Sequence, residues 1–251
     1  MNKQLTLFKD SFKLDITFIK VIIFDLLFYV ILIPSFFVVG ILLNKWAQKM
    51  DLDMLNQQIL TKSAEEIQAL TSQVQSFIAI LIITVVILVL IILAAWSLSR
   101  GLIYTTLLKK KLTKGYFLKF MLLNLIIGIV ALILLIFFSV IVNAIPPAIY
   151  LFYAVVLIAG YLSVLMCVLF TKKNKIFNSI VKGFSEGAIK LKKLIIPCVL
   201  ILVVFIILSL ISFLLGRAQL TITPYISLLI FVIFMAWARI YFVRQAEKVI
   251  S

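Results

Sequence analysis

At 251 residues, with 65% of them hydrophobic and a mean hydropathy of +1.28, the chain is too apolar for a water-soluble domain, whose apolar share is about 45–50%. Its net charge of +15, from 24 basic and 9 acidic residues, would suggest nucleic acid in a soluble protein, but here the basic residues bracket long apolar runs. Histidine is absent, which removes the commonest catalytic base and metal ligand, and Cys167 and Cys198 both lie inside apolar runs, so no disulfide framework is expected.

Residues 1–20 place Leu5, Phe8, Phe12, Ile16 and Ile19 at spacings of three and four, with Lys9, Asp10, Lys13 and Lys20 on other faces. That spacing predicts an amphipathic helix lying in the headgroup layer, the alternative being a frayed polar terminus. The first span is expected over 21–43. It begins after a charged lead and is too long for a signal-peptide core, so it should stay uncleaved. Pro34 removes a backbone donor near its middle and predicts a kink. Residues 44–76 turn polar yet keep Leu52, Leu55, Ile67, Leu70 and Val74 on a helical stripe, and Ser63-Ala-Glu-Glu66 has capping-box spacing. An extracytoplasmic helical hairpin turning near residues 61–63 is expected there, against the alternative of a disordered loop.

The second span, 77–96, continues through Arg100 and Tyr104 to Leu108-Lys-Lys-Lys-Leu-Thr-Lys-Gly-Tyr-Phe-Leu-Lys119, where five lysines in twelve residues must sit in water. The third span, 117–142, is stopped by Asn143-Ala-Ile-Pro-Pro147, because prolines cannot continue a helix and push the preceding residue out of the α region. The fourth span follows at 149–170. Residues 172–193 hold seven lysines and one glutamate, and the stripe Phe177, Val181, Phe184, Ala188, Leu191 predicts a second interfacial amphipathic helix, weakened by Gly183 and Gly187. The fifth span, 194–215, the tight turn 216–223 and the sixth span, 225–242, with Pro224 tolerated in a first turn, complete the chain.

Counting Lys and Arg between spans gives four in 1–20, six in 97–119, seven in 171–193 and three in 239–251, against Lys45, Lys49, Lys62 and Arg217 on the other side. The positive-inside rule then places both termini in the cytoplasm of a cell-membrane protein with six spans. The fold class expected is all-α, a six-span transmembrane helical bundle forming one domain. Phe18-Ile-Lys20 with Asp25-Leu26 matches Phe117-Leu-Lys119 with Asn124-Leu125 at an offset of 99, and Ala95-Trp96, Arg100 and Tyr104 resemble Ala236-Trp237, Arg239 and Tyr241. The expected unit is a helical hairpin with a cytosolic amphipathic helix, pseudo-repeated three times; chance similarity between Leu/Ile-rich segments is the competing account.

Asp25 is the only acid within a span, and an ionised carboxylate in hydrocarbon is costly. An intramembrane polar pair with Arg100 or Arg239, or simple solvation one turn inside the boundary, is favoured over proton transfer. Asn124 holds the equivalent place on the third span and would hydrogen-bond across helices. Trp96, Trp237, Tyr104 and Tyr241 read as interfacial anchors. Gly128, Ala131, Ala159 and Gly160 permit close helix contact, with no small-xxx-small motif of any strength expected, and Ser35, Ser139, Ser163, Ser209 and Ser212 read as satisfying carbonyls of their own helices. No nucleotide, zinc-protease, nucleophile-elbow or kinase motif is present, so neither catalysis, a metal nor a cofactor is expected. Lys109, Lys110, Lys111, Lys114, Lys172, Lys173, Lys190, Lys192 and Lys193 are the candidate contacts to anionic lipids on the cytosolic face, each attracted by about 1 kcal/mol. The hairpin 44–76 is a candidate surface for a protein partner, and nucleic acid is not expected.

The basic amphipathic helix followed by paired spans, in Leu5–Leu42 and Leu108–Val142, resembles prokaryotic six-helix integral membrane proteins similar to the membrane domain attached to some glycerophosphodiester phosphodiesterases. The likeness covers most of the chain and rests on hydropathy and spacing; it implies no catalytic residue, since the phosphodiesterase domain is not in this sequence. Two functions follow as expectations: a non-catalytic lipid-interacting or scaffolding protein, or a permease-like subunit working with a separate ATPase. The long excursion 44–76 and the short turn 216–223 depart from the second.

Overall fold

The computed structural model describes residues 8, 11, 15–48, 64–144, 149–217 and 223–250. Among them the regular structure is entirely helical. Six helices are long and apolar enough to cross a membrane: α1 Ile16–Ala47, α2 Ala64–Leu107, α3 Lys114–Ala144, α4 Ile149–Lys173, α5 Ile176–Arg217 and α6 Thr223–Ile250. The shortest, α4, has 25 residues, which at about 1.5 Å per residue exceeds the roughly 30 Å of a bilayer core. Hydrocarbon offers no partner for a bare amide, and a helix satisfies its own backbone. The chain is a multi-pass membrane protein.

Residues 1–26 and 97–251 form one compact unit, and residues 27–96 form another. In the first, helices α3, α4, α5 and α6 pack on one another. Their buried side chains concentrate toward the lysine-bearing helix ends. Tyr104, Phe120, Leu123, Leu165, Val168, Phe170 and Val243 form one cluster. Val21, Ile103, Trp237, Ile240 and Tyr241 form another. Toward the opposite ends burial falls away: Ile136 is 58% exposed, Val140 66% and Leu157 68%. Such surfaces are stable only where the surrounding solvent is itself apolar. In the second unit Phe28 meets Trp96 edge-on, ring centroids 5.4 Å apart, and most other large side chains are exposed in the same way.

Several boundaries differ from those read in the sequence. Asp15 caps α1, its Oδ1 accepting the Phe18 N–H at 2.9 Å, so the span's helix starts at Ile16 and not after Lys20. A capping carboxylate satisfies an orphan amide, and residues 16–20 then extend the span. The rest of the expected helix 1–20 lies outside the described residues, apart from Phe8 and Ser11. Of the 44–76 hairpin, residues 64–76 belong to α2, while its turn and residues 49–63 lie outside the described residues. Helix α1 continues through Pro34.

Segment 172–193 is not a separate element. From Ile176 it is continuous with the fifth span in one helix of 42 residues, because nothing between Ala188 and Leu194 breaks a helix and lysine and leucine are good helix formers. Its expected apolar stripe points away from the protein, with Phe177 80% and Val181 65% exposed. The opposite face packs on α4. There Gly183 and Gly187, which read as weak points, are contact points: a Cβ at Gly183 would stand 2.5 Å from Met166 Cγ, and one at Gly187 2.7 Å from Leu162 Cδ2. Gly128 and Gly160, read as permitting close contact, have nothing within 4 Å of where a Cβ would be. Three of the four expected interfacial anchors, Tyr104, Trp237 and Tyr241, are buried in the protein, and only Trp96 is exposed. Their hydroxyl and indole groups suit a polar interior layer as well as a headgroup layer, so residue type alone does not separate the two.

Candidate functional site

The described polar side chains buried in the first unit form a layer near the lysine-bearing helix ends. Its centre is Asp25 on α1. Arg100 Nη1, from α2, donates to Asp25 Oδ1 at 2.7 Å, and Arg239 Nη1, from α6, donates to both carboxylate oxygens. The three side chains are only 11–13% exposed. One carboxylate thus shares two guanidiniums and ties three helices together. The group carries a net positive charge, and removing the acid would leave two cations facing each other. Coulomb energy between charges at such separations is several kcal/mol at an effective dielectric of about 20.

Asn124 does not join this group. Its Nδ2 donates to Ser97 Oγ at 3.1 Å, which links α3 to α2 three residues before Arg100. Ser99 Oγ donates to the Phe24 carbonyl at 2.7 Å, beside Asp25 in the chain. Tyr116 and Thr171 meet at 2.8 Å. Thr171 spends its single hydrogen on the Cys167 carbonyl, so the tyrosine is the donor. Trp237 Nε1 donates to Ser11 Oγ at 2.9 Å, and Tyr161 donates to the Gly187 carbonyl at 3.0 Å. None of these last contacts was legible beforehand, since a hydroxyl in an apolar run reads first as bonding its own helix. Ser35, Ser139 and Ser163 do that, with the carbonyls of Ile31, Ile136 and Ala159.

The expected lipid-contact lysines lie outside this layer. Lys109, Lys110 and Lys111 are exposed in the turn between α2 and α3, and Lys114 opens α3. Lys109 ends α2 in the left-handed region, φ 53°, where glycine is the usual occupant and any other residue costs roughly 1–2 kcal/mol. Asn174 ends α4 at the same angle, but asparagine tolerates it. Lys172 Nζ donates to the Glu247 carbonyl at 3.3 Å, joining the C-terminal ends of α4 and α6. Lys173 faces Lys182 across the α4–α5 turn, with Glu186 nearby. Lys190 is held by Glu186 at 3.1 Å. The side chains of Lys192 and Lys193 lie outside the described residues. With Tyr116–Thr171, these contacts gather the C-terminal ends of α2, α4 and α6 and the N-terminal ends of α3 and α5 on one side of the unit.

Above the polar layer, α3 and α4 diverge and leave an apolar cleft. Its lower section, about 170 Å³, lies between Val130, Ala131 and Leu134 of α3, Ala159 and Ser163 of α4, and Phe184 of α5. Ala131, Leu134, Ala159 and Ser163 also line a second section of about 260 Å³, which runs up to Phe138 and Phe152. Among the described residues, no group of three or more His, Cys, Asp or Glu side chains is placed to hold a metal ion. No family model, curated protein or solved structure matches the chain.

Proposed function

We propose that this protein is a non-catalytic, lipid-interacting membrane protein whose lysine-bearing side lies on the cytosolic leaflet and concentrates anionic headgroups, with both termini in the cytoplasm. The observation that carries the reading is Lys109. A cation occupies a backbone position where glycine would cost less, beside exposed Lys110 and Lys111, and strain retained at such a place is a sign of use. The outward Phe177 and Val181 stripe on α5 supports the same reading, since apolar side chains flanked by lysines suit the boundary between headgroups and acyl chains. The convergence of Arg100 and Arg239 on Asp25 agrees with a pseudo-repeated hairpin plan, in which the second and sixth spans are equivalent. The segment 44–76 would then be the extracytoplasmic surface open to a protein partner.

The test is electron spin resonance on the protein reconstituted in mixed vesicles with spin-labelled phosphatidylglycerol or phosphatidylcholine. Immobilised label at the protein surface should favour phosphatidylglycerol by about fivefold at low salt, the factor that 1 kcal/mol supplies. Substituting Lys109, Lys110, Lys111 and Lys114 with Gln should erase most of that preference, as should high salt. Equal immobilisation of the two lipids at low salt defeats the reading.

A further inference from the structure

The apolar cleft between α3 and α4 has chemistry at its cytosolic end that the proposed lipid surface leaves unused. Cavities lined this completely by apolar groups stay dry and take apolar guests. The space exists because Ala131, Ala159 and Ser163 are small where the two helices face each other. Below it, two exposed lysines stand on the helical faces that line it. Lys119 is seven residues, or nearly two full turns, before the lining residue Ile126 on α3, and Lys173 is seven residues beyond the lining residue Met166 on α4. Seven residues return a helix to almost the same face, about 10 Å nearer the cytosolic end. Lys173 stands opposite Lys182 with Glu186 nearby, so the charge at this end of the cleft is predominantly positive. From Ile126 to Leu134 on α3 the cleft's lower section spans some 12 Å, close to the roughly 15 Å depth of one leaflet's hydrocarbon.

We propose that the α3–α4 cleft holds one acyl chain of an anionic phospholipid from the cytosolic leaflet, with the headgroup phosphate on Lys119 and Lys173. The inference deepens the lipid-surface reading above, because it presupposes the same sidedness, but it concerns a single seated lipid and not the surrounding shell. It fits an acyl chain better than a helix from a partner, since two sections of about 170 and 260 Å³ with apolar walls end toward lysines that complement a phosphate.

Native mass spectrometry of the detergent-released protein, exposed to phosphatidylglycerol or to phosphatidylcholine of equal chain length, tests it. One phosphatidylglycerol should stay bound at activation energies that strip the rest, with at least tenfold less retention of phosphatidylcholine. Ala159→Phe and, separately, Ala131→Phe fill the cleft from opposite walls and should each abolish that tightly held lipid while leaving the looser, salt-sensitive lipids in place. The surface double variant Lys119→Gln with Lys173→Gln, which disturbs no packing, should lower retention at least tenfold. If the tightly held lipid persists in both filling variants, or if phosphatidylcholine is held equally well, the cleft is not this site. Persistence of the spin-label preference in the filling variants would then leave the surface reading standing, so the two ideas fail separately.

Discussion

Asp25 is where a single side chain matters most. A carboxylate in an apolar run demands a cation, so its need for an arginine is legible in the sequence, and the structure supplies both Arg100 and Arg239 at once. The stoichiometry sets the order of mutational effects. Asp25→Asn removes the carboxylate that both buried guanidiniums share and should lower unfolding free energy by about 3–5 kcal/mol, the usual cost of breaking such a pair. Either Arg100→Gln or Arg239→Gln leaves a balanced one-to-one pair and should cost clearly less. Thermal unfolding of the three variants in one detergent checks the ranking, and an arginine variant that destabilises more than Asp25→Asn refutes the shared-carboxylate account. Lys109→Gly makes a second prediction at this scale. Releasing the left-handed strain should raise stability by up to about 1 kcal/mol while reducing the phosphatidylglycerol preference, a stability gain at the expense of the proposed function. A loss of stability on that substitution would remove the strain argument.

Among the elements, α5 was the one least legible. Its lysines and its Phe/Val stripe read as a free amphipathic helix, and glycines in such a helix read as defects. Yet Gly183 and Gly187 are four residues apart, the spacing at which small residues let two membrane helices approach closely, and that signal was available in the sequence. Gly183→Val should therefore separate α4 from α5 and destabilise more than Gly160→Val, which meets open space on α4. Proteolysis rates in detergent would show the difference, and equal behaviour of the two variants would mean the glycine contact has no weight. At the start of α3, Tyr116→Phe should cost only about 1 kcal/mol, because Thr171 keeps its bond to the Cys167 carbonyl. The α3–α4 cleft had no sequence signature: a void depends on how far two helices stand apart, and Ala131 and Ala159 suit close packing equally well on paper. The aromatic residues show the same ambiguity, with Trp96 exposed and Trp237 buried in similar sequence surroundings.

At the scale of the molecule, hydropathy and charge were the most informative features. Six apolar runs correspond to six helices, since length and the absence of charge are enough to decide what can cross hydrocarbon. Burial near the lysine-bearing ends and exposure toward the others could not be read there, because leucine, isoleucine and valine face lipid and protein alike. The claim on which the functional reading depends is the side of the membrane on which the lysines lie. Two single-cysteine variants decide it, Lys110→Cys and Gln58→Cys, each in a background with Cys167 and Cys198 replaced by serine or alanine. They are treated in intact cells with a maleimide too polar to cross the membrane. The account predicts rapid labelling at position 58 and labelling at position 110 only after the cells are permeabilised; labelling at 110 but not at 58 in intact cells would place the lysines outside and contradict it.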